Sequence, residues 1–175
     1  MHKISGRNLY MRIEKFDMKY LKDYFEEMNG EITKYQWPDP FESEEDARAL
    51  LQDFLDEMEK NETLVYSVLN DDDTFAGSVE LHGLSSDCPE VGVWITQANQ
   101  RKGYAYKALK ELLDIARNDF GKSVFFYEAD IRNTGSTKLL QKFSDEYEII
   151  TQGLEELTTD SGKELQLQGY VLKAK

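Results

Sequence analysis

The sequence predicts an α/β domain built on one mixed sheet, an α+β arrangement in which helices and strands do not strictly alternate. Three observations carry that expectation. Strand-like runs at residues 63–69, 75–81 and 90–95 follow one another with no helix between them. A helix with a single apolar face comes next, Ala105, Ala108, Leu109, Leu112, Leu113 and Ala116 recurring at i, i+3, i+4, i+7 spacing. Beyond it, Val124-Phe125-Phe126-Tyr127 is apolar on both faces, as the middle of a sheet requires. The order along the chain reads β-α-α-β-β-β-α-β-α-β-β, and the run of strands before the central helix argues against a purely parallel, doubly wound sheet.

Each element has a local reason. Residues 8–14 alternate Leu9, Met11 and Ile13 against polar neighbours, the pattern of a half-buried strand, and Asp17 can cap a helix that ends at Asn29-Gly30. Residues 31–41 form a loop, because Pro38 and Pro40 forbid regular helix there. Its aromatics Tyr35 and Trp37 either plug an edge of the core or wall a binding cleft for a substrate. Ser43-Glu44-Glu45-Asp46 is a hydroxyl N-cap followed by first-turn acids, and the helix it opens turns Ala47, Leu50, Leu51, Phe54, Leu55 and Met58 inward.

The strands at 63–69 and 75–81 are joined by Asn70-Asp71-Asp72-Asp73-Thr74, read as a solvated hairpin tip, since the D-x-D-x-D-G spacing of a calcium loop is missing. After the strand at 123–131 come a short helix over 135–143 and two strands near 147–151 and 165–173, separated by a turn at 159–162.

At 175 residues the chain fits one domain, 1–175, with no repeat or low-complexity tract. Its 34 acidic and 21 basic residues leave a net charge of -13, which argues against a nucleic-acid partner and an anionic membrane surface. That charge suits a cationic substrate such as an amine, and equally a protein kept soluble by its surface. Cys88 is the one cysteine, and His2 and His82 form no metal-binding pattern, so no structural zinc or other metal site is expected. The first residues lack the apolar core of a signal peptide and no run is long enough to span a bilayer, so a cytoplasmic location is expected. The oligomeric state stays open, a homodimer included.

Between the strand at 90–95 and the central helix stands Gln100-Arg101-Lys102-Gly103-Tyr104-Ala105. A glycine at the start of a helix lets a ligand approach amides that have no intrahelical partner, and the helix dipole favours negative charge there. The outline is an anion cradle. Neither G-x-x-x-x-G-K-[ST] nor G-x-G-x-x-G occurs, which excludes the P-loop and the dinucleotide fingerprint.

The Q-x-x-G-x-A pattern of residues 100–105 resembles the pyrophosphate-binding signature of the GNAT acyl-CoA N-acyltransferases. A second motif agrees with it: Asn133-Thr134-Gly135-Ser136-Thr137-Lys138-Leu139 resembles the N-x-x-[AS]-x-x-L segment that follows the family's fifth strand. The element order is also that of this fold, so the resemblance covers essentially the whole chain. Tyr35-Gln36-Trp37-Pro38 before a Ser-Glu-Glu helix start is similar to the entry segment of the RimJ/RimL-like branch, which acetylates protein N-termini, notably of ribosomal proteins. Polyamine and antibiotic acetyltransferases share much of the pattern.

The resemblance implies an acetyl-CoA-dependent N-acetyltransferase in which a free primary amine attacks the thioester directly. Backbone groups of Val93, Trp94 and Ile95 would pair with the pantetheine arm. Gln100 opens the motif, amides of Arg101, Lys102, Gly103, Tyr104 and Ala105 would hold the pyrophosphate, and Arg101 and Lys102 would add charge. At Gly103 any Cβ would keep phosphate oxygens from the backbone. Asn133 would anchor the pantetheine or its thioester end. Glu90 is the first candidate for the general base and Glu80 the second; either could also be a plain strand residue facing solvent. An amide near Val93 or Trp94 would meet the developing oxyanion. Where many relatives carry a tyrosine acid this chain has Leu140, which puts that acid in doubt, and Ser136 takes its place as the candidate or is an ordinary helix-start residue. The departure at Leu140 also keeps open a non-catalytic module that binds acyl-CoA as a sensor.

Overall fold

The computed structural model describes residues 11–175, so Leu9 and the expected start of the first strand lie outside the described residues. Along the chain run β1 (Arg12–Lys15), α1 (Leu21–Glu27), α2 (Glu44–Glu59), β2 (Thr63–Leu69), β3 (Phe75–His82), β4 (Glu90–Ile95), α3 (Tyr104–Phe120), β5 (Val124–Asp130), α4 (Thr134–Gln141), β6 (Tyr147–Thr158) and β7 (Glu164–Ala174). Among the described residues the strands form one mixed sheet of order β1-β2-β3-β4-β5-β7-β6, antiparallel everywhere except between β4 and β5. The fold is the expected mixed α/β one.

Caps account for the helix starts. Asp17 accepts from the Lys19 amide at 2.8 Å, opening a single 3-10 turn that leads into α1. Ser43 accepts from the Asp46 amide at 3.2 Å, and three acids follow it in the first turn of α2. On α3 the apolar stripe lands where the spacing puts it: Ala108, Leu109, Leu112, Leu113 and Ala116 are buried. They pack on one sheet face with Val79, Leu81 and Val91, while α1 and α2 cover the other face through Leu21, Tyr24, Ala47 and Leu51, against Val65 and Trp94.

Two expectations are corrected. Strand β6 runs on to Thr158 instead of ending near Thr151, because β7 pairs with it past a register shift between Thr151 and Leu154. Its far half is exposed and polar, Gln152, Gly153, Glu155 and Glu156, so it carries no alternation to betray a strand. The tip at residues 70–74 is not merely solvated. Asn70 donates to Asn99 at 3.1 Å and Asp71 accepts from the Tyr104 hydroxyl at 3.4 Å, which ties the β2–β3 hairpin to the start of α3.

Candidate active site

Strands β4 and β5 pair only at Glu90 with Phe126 and Val91 with Tyr127, and beyond those two pairs they diverge. A cavity of about 400 Å³ opens where they part, walled by Val91, Gly92, Val93 and Trp94 on one side and by Tyr127, Glu128, Ala129 and Asp130 on the other. The register of β3 and β4 decides which main-chain groups of β4 remain available. The Thr96 amide donates to the Ala76 carbonyl at 2.8 Å, and antiparallel ladders alternate, so the even residues of β4 bond to β3 while Val93 and Ile95 turn their amides and carbonyls toward the opening. Val93 therefore leaves its main chain open to the cavity. Trp94 does not: its backbone is committed to Ser78, and its indole is buried with the rings of Tyr24 and Phe75. On Ile95 the carbonyl accepts from the Gln100 side chain at 3.1 Å, so Gln100 braces the turn.

The turn beyond β4 is held by Asn99, which donates to Thr96 at 2.8 Å. Arg101 and Gly103 both sit in the left-handed region, at φ 63° and 79°. Gly103 is the N-cap of α3 and offers no side-chain cap, and the main-chain N–H groups from Arg101 to Tyr106 find no protein acceptor among the described residues. Arg101, Lys102 and Gly103 are exposed, Ala105 is half-buried, and Tyr104 turns its ring into the core. These uncapped amides fit an anionic group. A Cβ built on Gly103 meets nothing within 4 Å, so the protein itself demands glycine there only for the positive φ.

The even-numbered side chains of β3 and β4 face α1 and α2 across the cavity. Glu80 is a saturated acceptor: Tyr24 donates to it at 2.8 Å, Ser78 at 2.9 Å, and a His82 ring nitrogen lies 3.1 Å away. Burial works to raise its carboxyl, but His82, Tyr24 and Ser78 together hold it below the usual carboxylate range. That removes the second candidate for the base, because a carboxylate so stabilised takes up a proton poorly. Glu90 stands in contrast. Burial lifts its carboxyl above the usual range while the field of His82 pulls against that rise, and it lines the same cavity with access to solvent.

On the far wall, Asn133 caps α4 by accepting from the Ser136 amide at 3.1 Å, and both residues line the cavity. Ser136 lies beside the Tyr127 hydroxyl: burial pushes that phenol up and the serine hydroxyl works against the rise. Leu140 is wholly buried in the core, so position 140 carries no acid group and presents no surface to the opening. Asp130, at the base of this wall, accepts from the Arg132 amide and guanidinium and from the Gln166 amide at 2.8 to 2.9 Å, and its carboxyl is lowered to about 2, chiefly by the Arg132 side chain.

The loop bearing Tyr35 and Trp37 does wall the cavity, and a residue from the opposite end of the chain holds it in place. Lys163 donates to the carbonyls of Thr33 at 2.7 Å and Gln36 at 2.8 Å and pairs with Asp39 at 3.2 Å. Tyr35 is half-buried under the Arg132 guanidinium, and Trp37 is 61% exposed at the rim. Five carboxyls line the cavity, Glu57, Glu80, Glu90, Glu128 and Asp130, and among the described residues its lining contains no lysine or arginine. Tyr24, Glu57, His82, Tyr127, Glu128 and Lys163 are the contributors that sequence reasoning missed. For His82 a signal existed: Ser78, Glu80 and His82 form a period-two polar stripe opposite Val79 and Leu81.

Among the described residues no group of three or more His, Cys, Asp or Glu is placed to hold a metal, and no helix is long and apolar enough to cross a membrane. The family model for the acetyltransferase (GNAT) domain matches residues 11–143. No curated protein matches the sequence. Solved structures share the fold at low identity. A probable acetyltransferase superposes with a TM-score of 0.81 at 18% identity, over 96% of this chain and 95% of its own. RimL, a ribosomal-protein alpha-N-acetyltransferase in complex with coenzyme A, gives 0.80 at 12% identity, over 97% of both chains. Spermidine N-acetyltransferase from Vibrio cholerae, in complex with CoA and spermine, gives 0.77 at 18%, over 95% of this chain and 97% of its own.

Proposed function

The chain belongs to the GNAT acetyltransferase family and is an acyltransferase, and from that premise we propose that it moves the acetyl group of acetyl-CoA onto a primary amine, that of a peptide or protein N-terminus, as in the RimJ/RimL-like branch. The observation that carries the reading is the opening between β4 and β5: the unpaired main chain of Val93 lines one edge, and among the described residues the lining holds five carboxyls and no Lys or Arg.

Acetyl-CoA supplies an activated acetyl thioester. The uncapped amides at the start of α3 and the charges of Arg101 and Lys102 suit its diphosphate, and the free edge of β4 suits its amide-bearing arm. Asn133, whose side-chain oxygen is occupied by the Ser136 amide, keeps its NH2 group for the arm's thioester end. An amine arrives mostly protonated, and Glu90 takes up the proton, directly or through water, with a carboxyl already raised toward neutral pH by burial. The nitrogen–carbon bond forms as the carbon–sulfur bond breaks, the Val93 amide faces the oxygen that gathers charge, and the second proton, shed by the bonded nitrogen, is relayed by the Ser136 hydroxyl, backed by Tyr127, to the departing sulfur. Tyr35 and Trp37 border the acceptor's entry.

A polyamine is the second reading, and the lining carboxyls that carry no Lys, Arg or His partner among the described residues, Glu57, Glu90 and Glu128, favour it, since a polycation can meet more than one of them while a peptide N-terminus brings one charge. Free thiol released from acetyl-CoA, measured over N-terminal peptides, spermidine and aminoglycosides, decides between them. Silence across the whole panel, with CoA still bound, would turn the reading toward an acyl-CoA sensor. In the same assay Glu90→Gln should lower kcat by about 10²- to 10⁴-fold with CoA affinity unchanged, and an undiminished kcat would move the base elsewhere.

A further inference from the structure

One half-buried side chain at the cavity has an oxygen within reach of each of its ring nitrogens. His82 has two ring nitrogens. Nε2 lies 3.1 Å from Glu80 Oε2, on a carboxylate that already accepts from Tyr24 and Ser78 through its other oxygen. Nδ1 lies 3.4 Å from Thr63 Oγ1, and that hydroxyl has given its only proton to Glu57 Oε2 at 2.7 Å. Both neighbours of the ring are therefore acceptors, and a neutral imidazole would set a lone pair against one of them.

An aromatic ring packs against the imidazole as well. Phe54 of α2 lies against it with ring centroids 5.1 Å apart. Glu90 sits directly across on β4, in register with His82, and both line the cavity. Side chains directly opposite on one face of an antiparallel pair have Cβ atoms about 5 Å apart. The charged groups facing His82 are thus Glu80 on its own strand, Glu57 on α2 and Glu90 on β4, all acidic, with uncharged Thr63 on β2.

We propose that His82 is a fixed imidazolium, held in that state by the hydrogen-bond directions of Glu80, Thr63 and Glu57, and that its charge keeps the opposing Glu90 carboxyl ionised and ready to take the proton of the amine. His82 is a positioning residue on this account, acting through Glu90 and touching no reacting atom. The titration directions agree. Burial disfavours the charge on His82, but the hydrogen bond and field of Glu80, followed by Glu57 and Glu90, outweigh it and raise the imidazole. His82 in turn is the one group that opposes the burial-driven rise of Glu90.

The inference rests on the reading of Glu90 as base only for its catalytic meaning, and the test keeps the two apart. His2 and His82 are the only histidines, so ¹⁵N spectra of the full-length protein resolve them without ambiguity. Both His82 ring nitrogens should carry protons at pH 7, with a midpoint above that of His2. Thr63→Val, which removes an acceptor, should lower that midpoint. In ¹³C-carboxyl-labelled protein, His82→Gln keeps an N–H toward Glu80 but no charge, and the Glu90 titration should move to higher pH. A neutral His82 at pH 7, or a Glu90 midpoint that stays put in His82→Gln, would overturn the proposal. If His82→Gln does not fold, the wild-type ring titration and Thr63→Val still decide. Full kcat in Glu90→Gln would dismiss Glu90 as base while leaving these titrations standing.

Discussion

Replacing Gly103 separates the two things the start of α3 is asked to do. Its φ of 79° belongs to the left-handed region, while a Cβ there meets no protein atom within 4 Å, so the stability cost of a side chain is conformational and not steric. For an ordinary L-residue that cost is about 1–2 kcal/mol, and asparagine escapes most of it. At roughly 2–4 °C per kcal/mol for a chain of this size, Gly103→Ala should lose about 2–8 °C in Tm and Gly103→Asn much less. Affinity follows a different rule. A carboxylate about 6 Å from a bound phosphate charge is repelled by about 0.7 kcal/mol at the dielectric of water and about 3 kcal/mol at an effective value of 20. Gly103→Glu should therefore bind CoA about 3- to 100-fold more weakly than Gly103→Gln, which shares its shape and strain. Calorimetric titration with CoA reads the gap, and raising the salt should narrow it because the position is exposed. Equal affinity of the Glu and Gln variants would mean that no phosphate sits at these amides.

Two further outcomes follow from the scaffold. Gly77 has φ 151° and would place a Cβ 2.1 Å from the Trp94 carbonyl oxygen and 2.9 Å from Ile95 Cα, so Gly77→Ala must push β3 off the strand that borders the cavity. Strain and overpacking together cost about 2–6 kcal/mol, and a Tm within 2 °C of wild type, by scanning calorimetry, would refute the close approach. Asp130 is held at about 2 against an ordinary 3.8, a depressed carboxyl whose stabilisation is complete above pH 4 and lost as pH falls toward 2. The difference amounts to about 2 kcal/mol. Urea midpoints measured from pH 5 to pH 2 should drop more steeply for wild type than for Asp130→Asn, and parallel curves would show that the Arg132 pair contributes nothing.

Where the chain signals structure through local chemistry, sequence and coordinates agree. The stripe of Ala108, Leu109, Leu112, Leu113 and Ala116 and the Ser43 cap are legible because each is settled within a turn or two of helix. The far half of β6 is not, since its exposed polar residues are made a strand only by β7 beside it. The site divides along the same line. The uncapped helix start at residues 101–105 is local and could be read from a motif. Lys163 could not, because it closes on the loop at residues 33–38 from some 130 residues away in sequence, and neither could the saturation of Glu80 by Tyr24 of α1, a separation of 56 residues. Ranking Glu80 against Glu90 required knowing how many donors surround each carboxylate, and that number depends on tertiary packing.

On the proposed reaction, the register of β4 would let one strand serve two reactants. Its odd residues, Val91, Val93 and Ile95, pack their side chains toward α3; Val91 still pairs with β5, and beyond it the Val93 main chain and the Ile95 amide turn to the opening, where β5 has moved away. Its even residues spend their main chain on β3, and of these Glu90 presents a carboxyl to the side of the sheet where α1, α2 and the aromatic loop wall the cavity. The thioester arm would thus be held by the backbone of one set and the amine deprotonated by a side chain of the other, a single residue apart. A one-residue slip of β4 against β3 would exchange the sets, burying Glu90 under α3 and closing the free edge in the same step. Gly77, packed against the Trp94 carbonyl as only glycine can be, opposes that slip by fixing the closest approach of the two strands. The position of the proposed base and the docking edge for the arm are therefore set by one and the same pairing, and damage to that pairing should appear in both CoA affinity and turnover.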